Sequence, residues 1–422
     1  MKSIFTRCLF ALIFVGPSNF LMAQEAPEEK EEKKIQFNGD FRFRPEYDWN
    51  SNNGSSTSNE GTGKRDNRFR LRYRMRLAAV YNWNENIKIG LRFRTGVPTS
   101  IQSPHVNLGY KGLGMVPFNL DKIFFRYEKG EYWGWVGKNS FPFWKQNELF
   151  WDDDVLPEGL VFGAKYKAGS VDVSPTAAYF MANNIPVDGN SAFPFNGSGK
   201  GFGNGDNYGD IIGAQIKLSH KNDNYQGVAS FGYYDMNDIF TTPELSFDAA
   251  DETGPYLVLN YKFLMASLQF KSFVIWDKWP ITLGYDFVTN MEDYEDEKYD
   301  ETFDDLGLRD QLRKETTSHT ASISVGRSGQ KGDWQFTYYY AHKEMFSVVS
   351  YFTEDDWVRW GNIHANRNTN YSGHEFRLVY TIAKNFNVVT RFYTLEALER
   401  RRPGDDQLES GNRLRVDFNI SF

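Results

Sequence analysis

Between Arg68 and Arg76 every second residue is an arginine, and the residues between them are Phe69, Leu71, Tyr73 and Met75. A helix cannot sort such a segment, because a 3.6-residue period spreads both classes around its circumference. A strand sorts it cleanly: successive side chains point to opposite faces, so one face is cationic and the other apolar. The same period runs down the chain. Ile35, Phe37, Phe41 and Phe43 alternate with Gln36, Asn38, Asp40 and Arg42, while Ile87, Ile89, Leu91 and Phe93 stand opposite Lys88, Arg92 and Arg94. Similar runs near 120–128, 131–138, 159–167, 171–181, 209–219, 225–234, 266–276, 280–289, 317–327, 333–342, 373–382, 386–395 and 412–422 bring the total to sixteen strands.

The connections alternate in length. Short links (83–86, 129–130, 168–170, 220–224, 277–279, 328–332, 383–385) take turns with long ones such as 45–66, 97–119, 182–207, 291–315 and 344–371. Short turns on one side and long loops on the other are the layout of an all-β transmembrane antiparallel barrel, with periplasmic turns and extracellular loops. One stretch, 255–276, is too long for a single crossing. Splitting it would give seventeen strands and put the C-terminus on the wrong side, so 255–262 is expected to be loop.

The N-terminus fits an export signal. Lys2 and Arg7 precede an apolar run from Cys8 to Val15, with a cleavage region ending at Ala23; the run is too short to span a bilayer. The expected organisation is a signal peptide over 1–23, a charged lead-in over 24–34, and a barrel over 35–422. A mean hydropathy of −0.58 excludes a bundle of membrane helices. Cys8 is the one cysteine, so the mature chain has no disulfide or thiolate chemistry. Without Lys2 and Arg7 the chain carries 46 basic against 55 acidic residues, which gives no reason to expect nucleic acid.

A soluble β-sandwich also alternates. The C-terminus argues for the membrane: Leu414, Val416, Phe418, Ile420 and Phe422 alternate with Arg413, Arg415, Asp417, Asn419 and Ser421, and the last residue is aromatic. Such a strand resembles the assembly signal of bacterial outer-membrane barrels, carried here by Phe418, Ile420 and Phe422. Trp83, Trp133, Trp135, Trp276, Trp279, Trp334 and Tyr380 lie near strand ends, as interface girdles require.

Energetics then orient the strands. An arginine facing lipid at the midplane costs ~2–4 kcal/mol, so five on one strand would cost on the order of 10 kcal/mol, comparable with the stability of a whole domain. The arginines must face the lumen. Arg42, Arg44, Arg68, Arg70, Arg72, Arg74, Arg76, Lys88, Arg92 and Arg94 then form one basic wall, extended across the closure by Arg413 and Arg415. Two readings stand: the wall attracts anions and orients dipolar solutes, or lumenal acids pair with it and the charges brace the barrel.

The link after the fifth strand supplies an acidic counterpart in Glu148, Asp152, Asp153, Asp154 and Glu158. Its aromatics, Phe141, Phe143, Trp144, Phe150 and Trp151, would anchor it inside the barrel, where its acids would set up a transverse field. A solvated turn and a carboxylate calcium loop are the alternatives.

In and around this loop a family resemblance is visible. Gly137-Lys138-Asn139, Pro142-Phe143, Leu149-Phe150-Trp151-Asp152-Asp153-Asp154 and Pro157-Glu158-Gly159 resemble the signature of the "putative porin" family of bacterial outer-membrane proteins. Arg94-Thr95-Gly96, Asn107-Leu108-Gly109 and Leu120-Asp121 resemble it upstream, with Lys138 where an arginine is expected. The likeness is strongest over 67–167. It implies a channel-forming barrel and is silent on selectivity.

The remaining candidates carry less. Nine acids between Glu292 and Asp305 suggest a solvated exterior loop, with divalent-cation or lipopolysaccharide bridging as the alternative. Glycines 197–205 lack the phosphate-loop spacing, and the histidines lack metal-ligand spacing. Phe124, Tyr234, Tyr339 and Tyr393 point inward, as a sugar-stacking track or as filling. No nucleophile–histidine pair indicates an enzyme, and no cofactor or metal is expected. The expectation is an outer-membrane porin for passive diffusion of small hydrophilic solutes, leaning toward anions. The alternatives are a channel specific for sugars or organic anions, or a plugged structural barrel. Its partners would be outer-membrane lipid and lipopolysaccharide, the barrel assembly machinery and small solutes, and sixteen-stranded porins commonly form homotrimers.

Overall fold

The computed structural model describes residues 34–52, 54, 64–98, 100–109, 112–182, 209–240, 258–273, 279–357 and 368–422. The expected export signal, nearly all of the charged lead-in, the glycines at 197–205 and Trp276 lie outside these residues. The described chain forms sixteen antiparallel crossings. They are β1 (Ile35–Asn52), β2 (Arg68–Asn82), β3 (Ile87–Thr95), β4 (Phe118–Lys129), β5 (Tyr132–Lys138), β6 (Glu158–Ala164, resumed at Tyr166–Ala168), β7 (Val171–Met181) and β8 (Asp210–Lys221). The second half comprises β9 (Tyr225–Phe240), β10 (Val258–Ser272), β11 (Ile281–Asn290), β12 (Thr317–Gly326), β13 (Trp334–Lys343), β14 (Tyr371–Ala383), β15 (Phe386–Ala397) and β16 (Ser410–Ser421).

Each strand pairs with its sequence neighbours, and the sheet closes on itself. β1 runs against β2 from Ile35↔Tyr81 to Asp48↔Arg68, and against β16 from Asp40↔Ser421 to Asn52↔Ser410. Closure leaves no strand edge unpaired, the condition for a sheet that crosses a bilayer. At the seam Gly39 and Phe422 exchange backbone hydrogen bonds of 2.8 and 3.0 Å. The Phe422 ring lies over Gly39, filling the space a Cβ would need.

The alternation is sorted as the lipid-cost argument requires. Phe37, Leu91, Ile123, Phe125, Leu160, Phe162, Phe231, Leu268 and Ile420 are exposed on the outside. Arg44, Glu46, Asp48, Arg72, Arg74, Arg413, Arg415 and Asp417 are buried inside. Phe418, Ile420 and Phe422 all belong to the outward face of β16.

Three expectations are corrected. The stretch expected to open as loop at 255–262 is already strand from Val258, and β10 runs unbroken to Ser272. It looks too long because its inner face is as apolar as its outer one: Leu259, Tyr261, Phe263 and Met265 are buried within the barrel, while Leu264 and Leu268 face out. Trp133 and Trp135 are not girdle residues. Tyr132 and Val136 take the outward positions of β5, and Trp135 stacks inside on Phe180 at 6.0 Å between centroids. The acidic link after β11 is not wholly solvated. It forms a short helix, α1 (Asp300–Leu306), and buries Tyr294, Tyr299, Phe303 and Leu312 against Phe346 and the barrel interior. Glu292 is buried too, taking Lys262 at 2.7 Å, Lys298 at 2.9 Å and the Tyr299 hydroxyl at 2.7 Å, which hold its pKa down at about 2 against the opposing effect of burial.

Candidate functional site

The lumen is divided lengthwise. Strands β5 to β11 line one side with apolar residues, among them Trp135, Val161, Phe180, Ile211, Tyr234, Met236, Tyr261, Phe263 and Val288. On this side lie two long loops. The first, between β5 and β6, seats Phe143 edge-on against Tyr234 at 5.1 Å, over Gly213, where any side chain would collide with both rings. Phe150 packs on Phe263 at 5.7 Å and Trp151 stacks on Phe141 at 4.3 Å. Polar anchors complete the seat. Trp144 exchanges hydrogen bonds with Gln215, and the amides of Gln146 and Asn147 donate to the Asp286 carboxylate at 2.7 and 2.6 Å.

The second loop, between β13 and β14, is not among the candidates raised from the sequence. Met345, Phe346, Val348, Val349, Tyr351, Phe352 and Trp357 are buried, and the loop is stitched to the first. The amide of Asp152 donates to the Phe352 carbonyl at 2.7 Å, that of Glu354 to the Glu148 carbonyl at 3.0 Å, and the Thr353 hydroxyl to the Leu149 carbonyl at 2.6 Å. The buried Lys343 ammonium donates to the same Thr353 hydroxyl at 2.7 Å.

Opposite stands the basic wall, and it is heavily paired. Arg44 meets Asp417 at 2.5 Å, Arg413 meets Asp48 at 2.6 Å, and Arg415 meets Asp417 at 3.2 Å. Arg74 and Arg76 share Asp40 at 2.6 and 2.7 Å; Arg70 and Arg72 share Glu46; Arg68 meets Asp48 at 2.7 Å. A β-bulge on β4 turns Asp121 inward to Arg92 at 2.7 Å and Arg94 at 3.6 Å. Most of these acids share the inward parity of the arginines they serve, so the pairing is legible in the same alternation that reveals the wall.

The two sides meet in a narrow polar cavity of about 100 Å³. Arg42, Arg44, Arg74, Arg76 and Arg415 line one side of it, joined by Arg391, which sequence reasoning misses. Glu148, Asp152, Asp153 and Asp154 line the other, joined by Asp355 and Asp356 of the second loop. Asp154 reaches Arg76 at 3.3 Å and Arg74 and Arg94 at 3.9 Å. Asp356 contacts Arg415 and lies 3.6 Å from Arg413 and 3.7 Å from Arg44. Burial would raise both carboxyls, but the arginines around each outweigh it and hold them below the usual carboxylate value. Asp152 forms no ion pair among the described residues. Burial, with Glu148 and Asp154 beside it, pushes its carboxyl well above the usual range. Asp153 pairs with Lys145 at 2.5 Å.

Not every candidate residue reaches this aperture. Glu158, grouped with the loop acids, instead opens β6 as an exposed side chain 3.7 Å from Lys138. Arg68 stands at the long-loop end of β2 and Lys88 at the short-turn end of β3. Tyr234 and Tyr393 are fully buried beneath the inward loops, filling space. Among the described residues, no group of three or more acids, histidines or cysteines is arranged to hold a metal ion.

Comparison with known proteins accords with this architecture. The high-pH structure of OprB from Pseudomonas putida superposes with a TM-score of 0.52 at 14% identity, covering 92% of this chain and 94% of that one. The trimer form of OmpT from Vibrio cholerae gives 0.47 at 11% identity (92% and 99% covered), and an anion-selective porin from Comamonas acidovorans gives 0.46 at 10% (92% and 99%). A search of curated proteins returns no match. A family model described as "putative porin" matches residues 19–257, more than half of the chain. The chain therefore belongs to the "putative porin" family, as a sixteen-stranded channel barrel of the bacterial outer membrane.

Proposed function

We propose that this porin passes small hydrophilic solutes by diffusion through the arginine-lined side of its lumen, with a lean toward anions. The observation that carries the reading is the aperture itself: six arginines on one side, and on the other a row of loop acids of which Asp154 and Asp356 are tied into ion pairs. Paired charges still polarise the gap, so a passing solute meets a transverse field in a partly desolvated slot. The test is the reversal potential of the purified protein in a planar bilayer across a KCl gradient. It should favour chloride, and Arg74→Gln with Arg76→Gln should move it toward zero; cation preference in the unaltered protein would overturn the lean. A second reading, a channel specific for organic anions, is supported by the small size of the cavity, and saturable block of the current by such anions would favour it.

A further inference from the structure

We infer that the corner of the aperture framed by Arg42, Arg74, Ser103 and His105 is a binding subsite for a small oxyanion, either free or carried as the carboxylate or phosphate group of a passing solute. The inference rests on the anion-leaning reading above and goes beyond it: a wall of charge gives selectivity, whereas a subsite gives saturation.

The first observation is a cation without an ion pair of its own. Arg44, Arg74, Arg76 and Arg415 each reach at least one carboxylate, but Arg42 makes no ion pair among the described residues. Its Nε donates to the side-chain oxygen of Asn419 at 2.6 Å, a neutral acceptor. Its neighbour across the β1–β2 ladder is Arg74, a like charge directly opposite, which is destabilising unless something negative lies between.

The second observation is a set of donors without acceptors. Nε of Arg74 and Nε2 of His105, a donor in the tautomer that carries its proton there, are buried and have no hydrogen-bond partner, although buried polar groups are normally satisfied. His105 is held there by the loop after β3, whose Val106 and Asn107 pair with Tyr73 and Arg72 of β2. The Ser103 hydroxyl accepts from Arg72 at 2.7 Å, which leaves its own hydrogen free to donate. All four residues line the same cavity, and its volume of about 100 Å³ suits a group of a few heavy atoms. An oxyanion there would satisfy the orphaned donors and neutralise Arg42 in one step, by charge-assisted hydrogen bonds of the kind arginine makes best.

The experiment uses the full chain, refolded and judged closed by its heat-modifiable migration. Chloride current is recorded in a planar bilayer while sodium phosphate, or in a separate arm sodium acetate, is titrated against constant chloride. Saturable block is expected with both, and Arg42→Gln should raise the half-blocking concentration at least tenfold, with Arg42→Lys recovering part of the loss. Ser103→Ala should raise it by a smaller factor, and it tests the subsite independently should Arg42→Gln fail to close. A non-saturating response in the unaltered protein overturns the subsite. So does an unchanged half-block in closed Arg42→Gln. Chloride preference without saturable block removes the subsite and leaves the proposed function standing. Saturable block in a channel that lacks chloride preference supports the subsite and removes the anion lean.

Discussion

Asp356 shows how much one side chain does inside this barrel. It lies against Arg415, Arg413 and Arg44 at once, on a loop, while each arginine sits on a strand. Removing one partner of a buried ionic group leaves the others uncompensated, so Asp356→Asn should lower stability by about 3 kcal/mol, measurable as a shift in denaturant midpoint. Asp154→Asn faces the aperture more directly and should move the reversal potential further toward chloride, since it strips a negative charge from beside Arg74 and Arg76. Glu315 offers a pH test outside the spanning strands. Burial and the nearby carboxylates of Glu344 and Glu399 raise its pKa to about 7. The folded protein therefore holds a proton that the unfolded chain releases near pH 4.5, and stability contributed by this residue falls as pH climbs from there to about 7. Glu315→Gln should accordingly gain on the unaltered protein in melting temperature over that window, and an unchanged difference would count against the assignment. At this scale the sequence is informative wherever parity can be read. Arg44, Asp48, Arg413 and Asp417 share one face, and their partnership follows from closure. Asp355 and Asp356 are hidden in it because loops have no parity.

The elements that shape the channel are the two inward loops, and they behave as one body. Trp151 is their joint: it stacks on Phe141, lies 4.7 Å from Phe352 of the second loop, and donates through Nε1 to the Val155 carbonyl at 2.8 Å. Trp151→Ala removes a buried indole and should cost about 3–5 kcal/mol locally. The loops would then fluctuate, and single-channel recordings should show larger and noisier open steps; quiet, unchanged steps would show that the loops are held elsewhere. The first loop is suggested by the sequence through its density of aromatics, which leaves a solvated turn and a calcium loop as alternatives. Met345–Phe352 carries the same signal, but it sits in a long link, and long links in barrels are usually exterior. The early start of β10 is obscured for a related reason. Strands that carry apolar residues on both faces lose the alternation that identifies them, and they lose it here because the inner face holds a loop rather than water.

For the whole molecule, the barrel is legible from its sixteen alternating segments, but the division of its lumen is not, because that depends on which strands become neighbours of which loops. The seam is where the two meet. Deleting Phe422 uncovers Gly39 and removes two backbone hydrogen bonds, so the fraction of chain reaching the heat-modifiable closed form should fall severalfold, while chains that do close should conduct normally. The position of that seam has a consequence of its own. The arginine wall is divided between the first three strands and the last two, and Arg44 with Asp417, Arg413 with Asp48, and Arg42 with Asn419 join only when β16 meets β1. The final fastening of the cylinder is thus also the act that constructs its filter. A half-zipped barrel therefore has no such filter.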